Sequence, residues 1–180
     1  ILPDEQGYEE RIQQLWRELN NVVDERKKLF SDAGVSTLAE YNSQNAAKPK
    51  PAILVAIDNF GEYIETFGDD KNNDANNLLE AFVALARQGK AYGLHILITA
   101  SRLNILSSKL YSLFTERLTF RISDAGDYSS IVGTRLLEVE EIPGRGAAKV
   151  GRDALSYHIA LPPGTIGKAD VLGADGQPCL

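Results

Sequence analysis

One run constrains this chain more than any other: Ala52-Ile53-Leu54-Val55-Ala56-Ile57, continuously apolar, partly β-branched, and broken off by Asp58-Asn59. It is too short for a helix with one buried stripe and lacks the alternation of a half-exposed strand. It therefore predicts a strand buried on both faces, as in a parallel sheet covered by helices. A second such run, Leu94-His95-Ile96-Leu97-Ile98-Thr99-Ala100, follows a stretch in which Leu78, Leu79, Phe82, Val83, Leu85 and Ala86 mark a helix ending near Gly89. Strand, helix, strand at these lengths is a βαβ unit with a right-handed crossover, so the expected fold class is α/β.

The flanking segments fill out this plan. From Tyr8 to Phe30, apolar residues recur with the helical period at Tyr8, Ile12, Leu15, Trp16, Leu19, Val22, Val23, Leu29 and Phe30, predicting a long amphipathic helix. Asp32-Ala33-Gly34 ends it, and Ser36 is placed to cap a short helix through Leu38 and Tyr41. Residues 42–50 read as an exposed connection, and 68–74 as a polar, mobile one. Beyond the second strand come a short helix over 107–114, a third strand over 117–122, a short helix around 127–132, a turn at Pro143-Gly144-Arg145-Gly146, and a closing hairpin of 147–150 with 155–160. The expected organisation is one domain over 1–161 (helical segment 8–44, central core 52–133, closing strands 147–160), then a loosely ordered tail over 162–180.

Composition narrows the function classes. With 180 residues, 43% of them apolar, the chain is long enough to bury a substantial core. A net charge of −6 argues against a broad basic face for nucleic acid. Cys179 is the single cysteine, which excludes an internal disulfide and a cysteine metal cluster and fits a reducing compartment. No apolar run approaches the roughly 20 residues of a membrane span, and the N-terminus lacks a signal-peptide pattern. Methionine is absent and the first residue is Ile1, so a piece of a longer protein is expected.

Ligands in open α/β sheets bind at the carboxyl ends of the strands, where Asp58 stands. In phosphoryl-transfer sites such an aspartate helps hold Mg²⁺ beside nucleotide phosphates, usually followed by an acidic residue that positions water. Here the follower is Asn59, whose amide can orient water but cannot accept a proton. The alternative is that Asp58-Asn59 merely ends a strand and caps the next element. The second strand ends in Thr99-Ala100-Ser101-Arg102 at the same edge. A hydroxyl there can sense a γ-phosphate and Arg102 can meet a phosphate or an acid; alternatively, Ser101 serves ordinary turn chemistry. The glycine-rich phosphate cradle is missing: only Gly89-Lys90-Ala91 and Gly167-Lys168-Ala169 come near it, without the earlier glycine or the following hydroxyl. His95 and His158 read as packed core residues, and Glu138, Glu140 and Glu141 as a solvated acidic face.

Five segments in order then carry a resemblance. They are Arg26-Lys27-Lys28-Leu29-Phe30-Ser31-Asp32-Ala33-Gly34-Val35; Ile53 to Phe60; Ala86 to Ile98, with Gly89-Lys90-Ala91-Tyr92-Gly93-Leu94-His95 at its centre; Arg117-Leu118 with Arg121 and Asp127 to Gly133; and Ile142 to Ala147. From about Leu15 to Ile159 the chain resembles the later part of the FtsK/SpoIIIE motor ATPases, a family that includes the motors of bacterial type VII secretion. The resemblance implies a P-loop NTPase-like (RecA-like) fold, with a mainly parallel sheet flanked by helices, incomplete and closed by a C-terminal β-hairpin. It implies Asp58 as the Mg²⁺-site residue, Ser101 as a sensor binding the cofactor, and Arg102, Arg117 or Arg121 as a group acting across a subunit boundary. Asn59 replaces the acidic residue of active members, Ser101 the glutamine of their Thr-Gln-Arg-Pro sequence, and Leu103 its proline. These departures imply weakened catalysis.

ATP and Mg²⁺ are thus expected only with a phosphate loop from outside these residues. The parent implied by the family is a homo-oligomer, a hexamer, or carries tandem ATPase modules. It would move DNA or secreted protein across a membrane that it touches only through other domains, at the cytoplasmic face. The acid- and amide-rich segment 68–77 leans toward protein. A second expectation is a degenerate module serving as a regulatory or docking platform of a type VII secretion motor; a third, a flavodoxin-like binding domain, is disfavoured by the missing glycine-rich turn.

Overall fold

The computed structural model describes residues 1, 6–67, 73–133, 139–150 and 152–160. The expected tail over 162–180 and most of the polar connection at 68–72 lie outside them. The chain forms two compact units, the first running from Ile1 to Leu113 and the second beginning at Phe114.

The first unit is built on α1 (Tyr8–Asp32), α2 (Leu38–Gln44), β1 (Ile53–Ile57), α3 (Phe60–Phe67), α4 (Asn73–Gln88), β2 (Leu94–Ile98) and α5 (Ser108–Tyr111). Helix α1 buries Ile12, Trp16, Leu19, Val23, Arg26 and Phe30, a stripe with the three-and-four spacing of one helical face. Its rings meet α3 and α4, Trp16 against Tyr63 and Phe82 and Tyr8 against Phe67, and Phe60, Leu78 and Leu85 are buried with them in the first unit. Trp16 Nε1 donates to the Tyr63 hydroxyl (2.9 Å), which donates to Leu78 O (3.2 Å). Burial pushes the Tyr63 phenol pKa well above its usual range, partly offset by the Trp16 bond. Helix α2 is capped by Thr37 rather than Ser36. Thr37 Oγ1 accepts from Glu40 N, while the Glu40 carboxylate accepts from the backbone N–H groups of Ser36 and Thr37, a reciprocal box that satisfies orphan donors of the first turn.

Strands β1 and β2 pair in parallel from Ile53↔Leu94 to Ile57↔Ile98. The expectation that both are buried on two faces is corrected. Burial alternates along each strand, and Leu54 and Leu97 remain 67% and 51% exposed. His95 stands on this open face and is exposed, not a core residue. A continuous apolar run is compatible with either arrangement, because it places apolar side chains on both faces whether or not a second layer covers them. The described residues cover only one. Gly93, leading into β2, takes φ +76°, in the left-handed region that glycine enters without penalty.

The second unit contains β3 (Leu118–Phe120), α6 (Ala125–Val132), β4 (Arg145–Val150) and β5 (Asp153–His158). The strands form an antiparallel sheet in the order β3-β4-β5, which includes the expected closing hairpin. Its core joins Tyr128 and Val132 of α6 to Val139 and Ala147, and the Tyr128 hydroxyl accepts from Ile122 N (2.7 Å). Gly146 is buried where β4 crosses under the Tyr157 ring, and a Cβ there would sit 2.5 Å from Thr119 O. Gly146→Ala is expected to destabilise the second unit by about 2 kcal/mol through overpacking. Urea unfolding followed by amide signals of β3 to β5 checks this: the midpoint should fall with m unchanged.

No described helix is long and apolar enough to cross a membrane.

Candidate functional site

The carboxyl ends of β1 and β2 are joined through one residue. Thr99 N donates to Ile57 O (3.0 Å), extending the ladder, and Thr99 O accepts from Phe60 N (2.8 Å) at the start of α3. The Thr99 hydroxyl accepts from Asn59 N (2.9 Å) and donates to Asp58 Oδ1. Between strand and helix, Asn59 adopts φ +51°, alone among the described non-glycine residues in having positive φ. Asparagine tolerates this region better than most residues because its short polar side chain bonds locally. Here Asn59 Nδ2 reaches Glu62 Oε2 at 3.4 Å, within the first turn of α3.

Asp58, Asn59 and Thr99 are exposed, as are Ser101 and Arg102. Thr99, rather than Ser101, is the hydroxyl bonded to Asp58. Ser101 lies two residues further on in a bend, and Arg102 precedes a 3₁₀ turn at Leu103–Ile105. Neither has a hydrogen bond to Asp58 among the described residues. Arg117 and Arg121 belong to the second unit: Arg117 Nε donates to Phe114 O (2.8 Å), and Arg121 Nη1 pairs with Glu141 (2.5 Å). Glu140 pairs with Arg145 (3.2 Å). Within the expected acidic face, Glu140 and Glu141 are therefore ion-paired, while Glu138 lies outside the described residues. His158 bonds Pro143 O through Nε2 (3.0 Å).

Sequence reasoning misses two members of this edge. It groups Thr99 with its polar neighbours without a particular partner, and the signal that would single it out is the strand register. Glu62 stands in the first turn of α3, a helix too short for the spacing of Phe60, Tyr63 and Phe67 to reveal it.

Among the described residues no three metal-ligating side chains cluster. Asp58 has Oδ1 engaged by Thr99 and no described group bonded to Oδ2. A free carboxylate oxygen at this edge fits the preference of Mg²⁺ for oxygen ligands.

Residues 8–162 match the model of the FtsK/SpoIIIE family. The chain is 27% identical over 155 residues to the type VII secretion system protein EssC of Staphylococcus aureus (strain NCTC 8325 / PS 47), covering 86% of the chain and 10% of that protein. It is 27% identical over 135 residues to the ESX secretion system protein YukB of Bacillus subtilis (strain 168), covering 75% of the chain and 8% of that protein. Thus the chain spans about a tenth of the length of these curated relatives. Among solved structures, EssC ATPases 2 and 3 from Geobacillus thermodenitrificans superpose with a TM-score of 0.69 at 26% identity, over 86% of this chain and 27% of that one. The pCW3 conjugation coupling protein TcpA, in its monomer form with ATPγS, gives 0.71 at 21% identity, over 83% and 44%. The two likenesses together show the fold, that of P-loop ATPase domains, and at 21% identity the latter shows no more than that.

Proposed function

Because this chain belongs to the FtsK/SpoIIIE family, we propose that it is the later portion of an ATP-driven translocating module, contributing one edge of a nucleotide site whose phosphate loop comes from outside these residues. The observation that carries this reading is the Asp58–Thr99 pairing at the carboxyl ends of adjacent parallel strands, where open α/β sheets bind ligands. Asp58 would hold Mg²⁺ through its carboxylate, directly or through water, and the ion would supply charge neutralisation of the phosphates. Asn59 orients water without taking its proton, so hydrolysis is slow. Ser101 and Arg102 lie further along the same edge, as sensor and phosphate partner. Arg102, Arg117 and Arg121 are the candidates to act across a subunit boundary in a hexamer or between tandem modules.

Secreted protein is the favoured substrate over DNA. The relatives EssC and YukB are secretion-system proteins, and a chain of net charge −6 offers few cations for a phosphate backbone. The parent works at the cytoplasmic face of the membrane, attached through other domains. A docking platform without ATP turnover is the second reading, favoured by Asn59, Ser101 and Leu103 at positions where active members differ.

Mg²⁺-ATP calorimetry on the protein extended upstream through its phosphate loop separates the two. The expected result is binding that weakens at least about tenfold in Asp58→Ala, equivalent to about 1.4 kcal/mol. A well-folded extended protein that takes up no nucleotide would establish the docking platform instead.

A further inference from the structure

Two polar hydroxyls, Thr99 and Ser101, lie close in sequence at the edge where Asp58 emerges, yet only Thr99 bonds to it. Thr99 also uses every hydrogen-bonding group it has on the strand-to-helix turn. Its N–H and C=O hold Ile57 and Phe60, and its hydroxyl accepts from Asn59 N while donating to Asp58 Oδ1. A hydroxyl has one proton to give, and a carboxylate oxygen, which can only accept, takes it here. An exposed aspartate without such a partner samples several staggered rotamers. With Oδ1 held, the free oxygen is always Oδ2.

We propose that Thr99 is a positioning residue, whose hydroxyl locks the Asp58 carboxylate in one orientation and thereby fixes which oxygen is presented to a divalent cation. This rests on the nucleotide-site reading for its use, though not for the lock itself. The same hydroxyl accepts from the backbone N–H of Asn59 in its left-handed turn, while the Asn59 side-chain amide is held separately by Glu62. Thr99→Val preserves the shape and both backbone bonds while deleting the donor and acceptor; Thr99→Ser restores them.

The test is NMR on the 180-residue chain, with Mn²⁺ alone as the cation probe. In the wild type, Asp58 should show couplings of a single χ1 rotamer and the Thr99 hydroxyl proton should exchange slowly. Thr99→Ser should retain the single rotamer and Thr99→Val should lose it to averaging. Mn²⁺ broadening at Asp58 should be severalfold weaker in Thr99→Val than in the wild type or Thr99→Ser. A purely structural role would leave the Asp58 couplings unchanged in a folded Thr99→Val variant, and that result overturns the proposal. So does a wild-type Thr99 hydroxyl exchanging as fast as a free one, a measurement that stands even if the valine variant fails to fold. If the rotamer is lost in Thr99→Val but Mn²⁺ leaves wild-type Asp58 unbroadened, the lock is sustained and its use by a cation on this chain alone is overturned, while the nucleotide-site reading stands or falls by the calorimetry on the extended protein.

Discussion

Trp16→Ala is expected to lower the stability of the first unit by about 4 kcal/mol, within the range for emptying a buried aromatic site. Trp16 is 2% exposed and stands edge-on to both Tyr63 and Phe82, with ring centroids 6.3 and 5.9 Å away. Such pairs add to the area buried. Its indole N–H is also the donor to the buried Tyr63 hydroxyl, so alanine removes that bond as well as the packing. Trp16→Phe keeps most of the apolar contact and loses the bond, and should cost about 1 kcal/mol. With total stabilities of about 5–15 kcal/mol for a domain, the alanine variant should be near unfolding. Trp16 is the sole tryptophan, so denaturant unfolding should be followed by circular dichroism. Equal losses in the two variants would mean that the hydrogen bond, not the packing, dominates.

Arg26→Ala should cost about 3 kcal/mol, for a different reason. Arg26 is 6% exposed on a face of α1 otherwise occupied by apolar residues. Its guanidinium donates to Tyr92 O (2.6 Å) and Pro51 O (2.7 Å), acceptors just before β2 and β1. Hydrogen bonds from a charged donor are worth about 1.5–3 kcal/mol each, and solvent reaching exposed Pro51 recovers part of that loss in the variant. Burial lowers the guanidinium pKa, but arginine stays charged at any ordinary pH, so the two carbonyls must carry the stabilisation of the charge. Arg26→Lys places one compact ammonium where a planar fork bridged two acceptors, and should recover about half. Amide exchange checks the location: Ile53 N, bonded to Gly93 O (2.8 Å), should lose protection earliest because the variant unpins both strand starts.

Arg26 shows how far sequence could reach. Its place in a run similar to a motor family is evident, but a lone cation in a helical stripe reads equally well as a side chain snorkelling to water. The two carbonyls that hold it come from segments 25 and 66 residues away. Helix α3 is hard to see in the sequence because Phe60, Tyr63 and Phe67 span barely two turns, too few for periodicity to separate from a loop with scattered aromatics. Their identity as core residues depends on rings from other helices meeting them: Phe82 against Phe60 and Tyr63, Trp16 against Tyr63, and Tyr8 against Phe67.

By itself the sequence determined what is local. The period of α1, the β-branched composition of β1 and β2, and the polar break after Ile57 set the elements and put a carboxylate at a strand end. The ordered run of family segments determined the kind of fold. The tertiary structure alone decided which sheet face is covered and which hydroxyl holds Asp58. Covering a face requires a second layer, which no strand sequence contains. The bond between Asp58 and Thr99 spans 41 residues and exists only because the parallel register sets Ile57 beside Ile98, carrying the next residue of each strand into reach of the other.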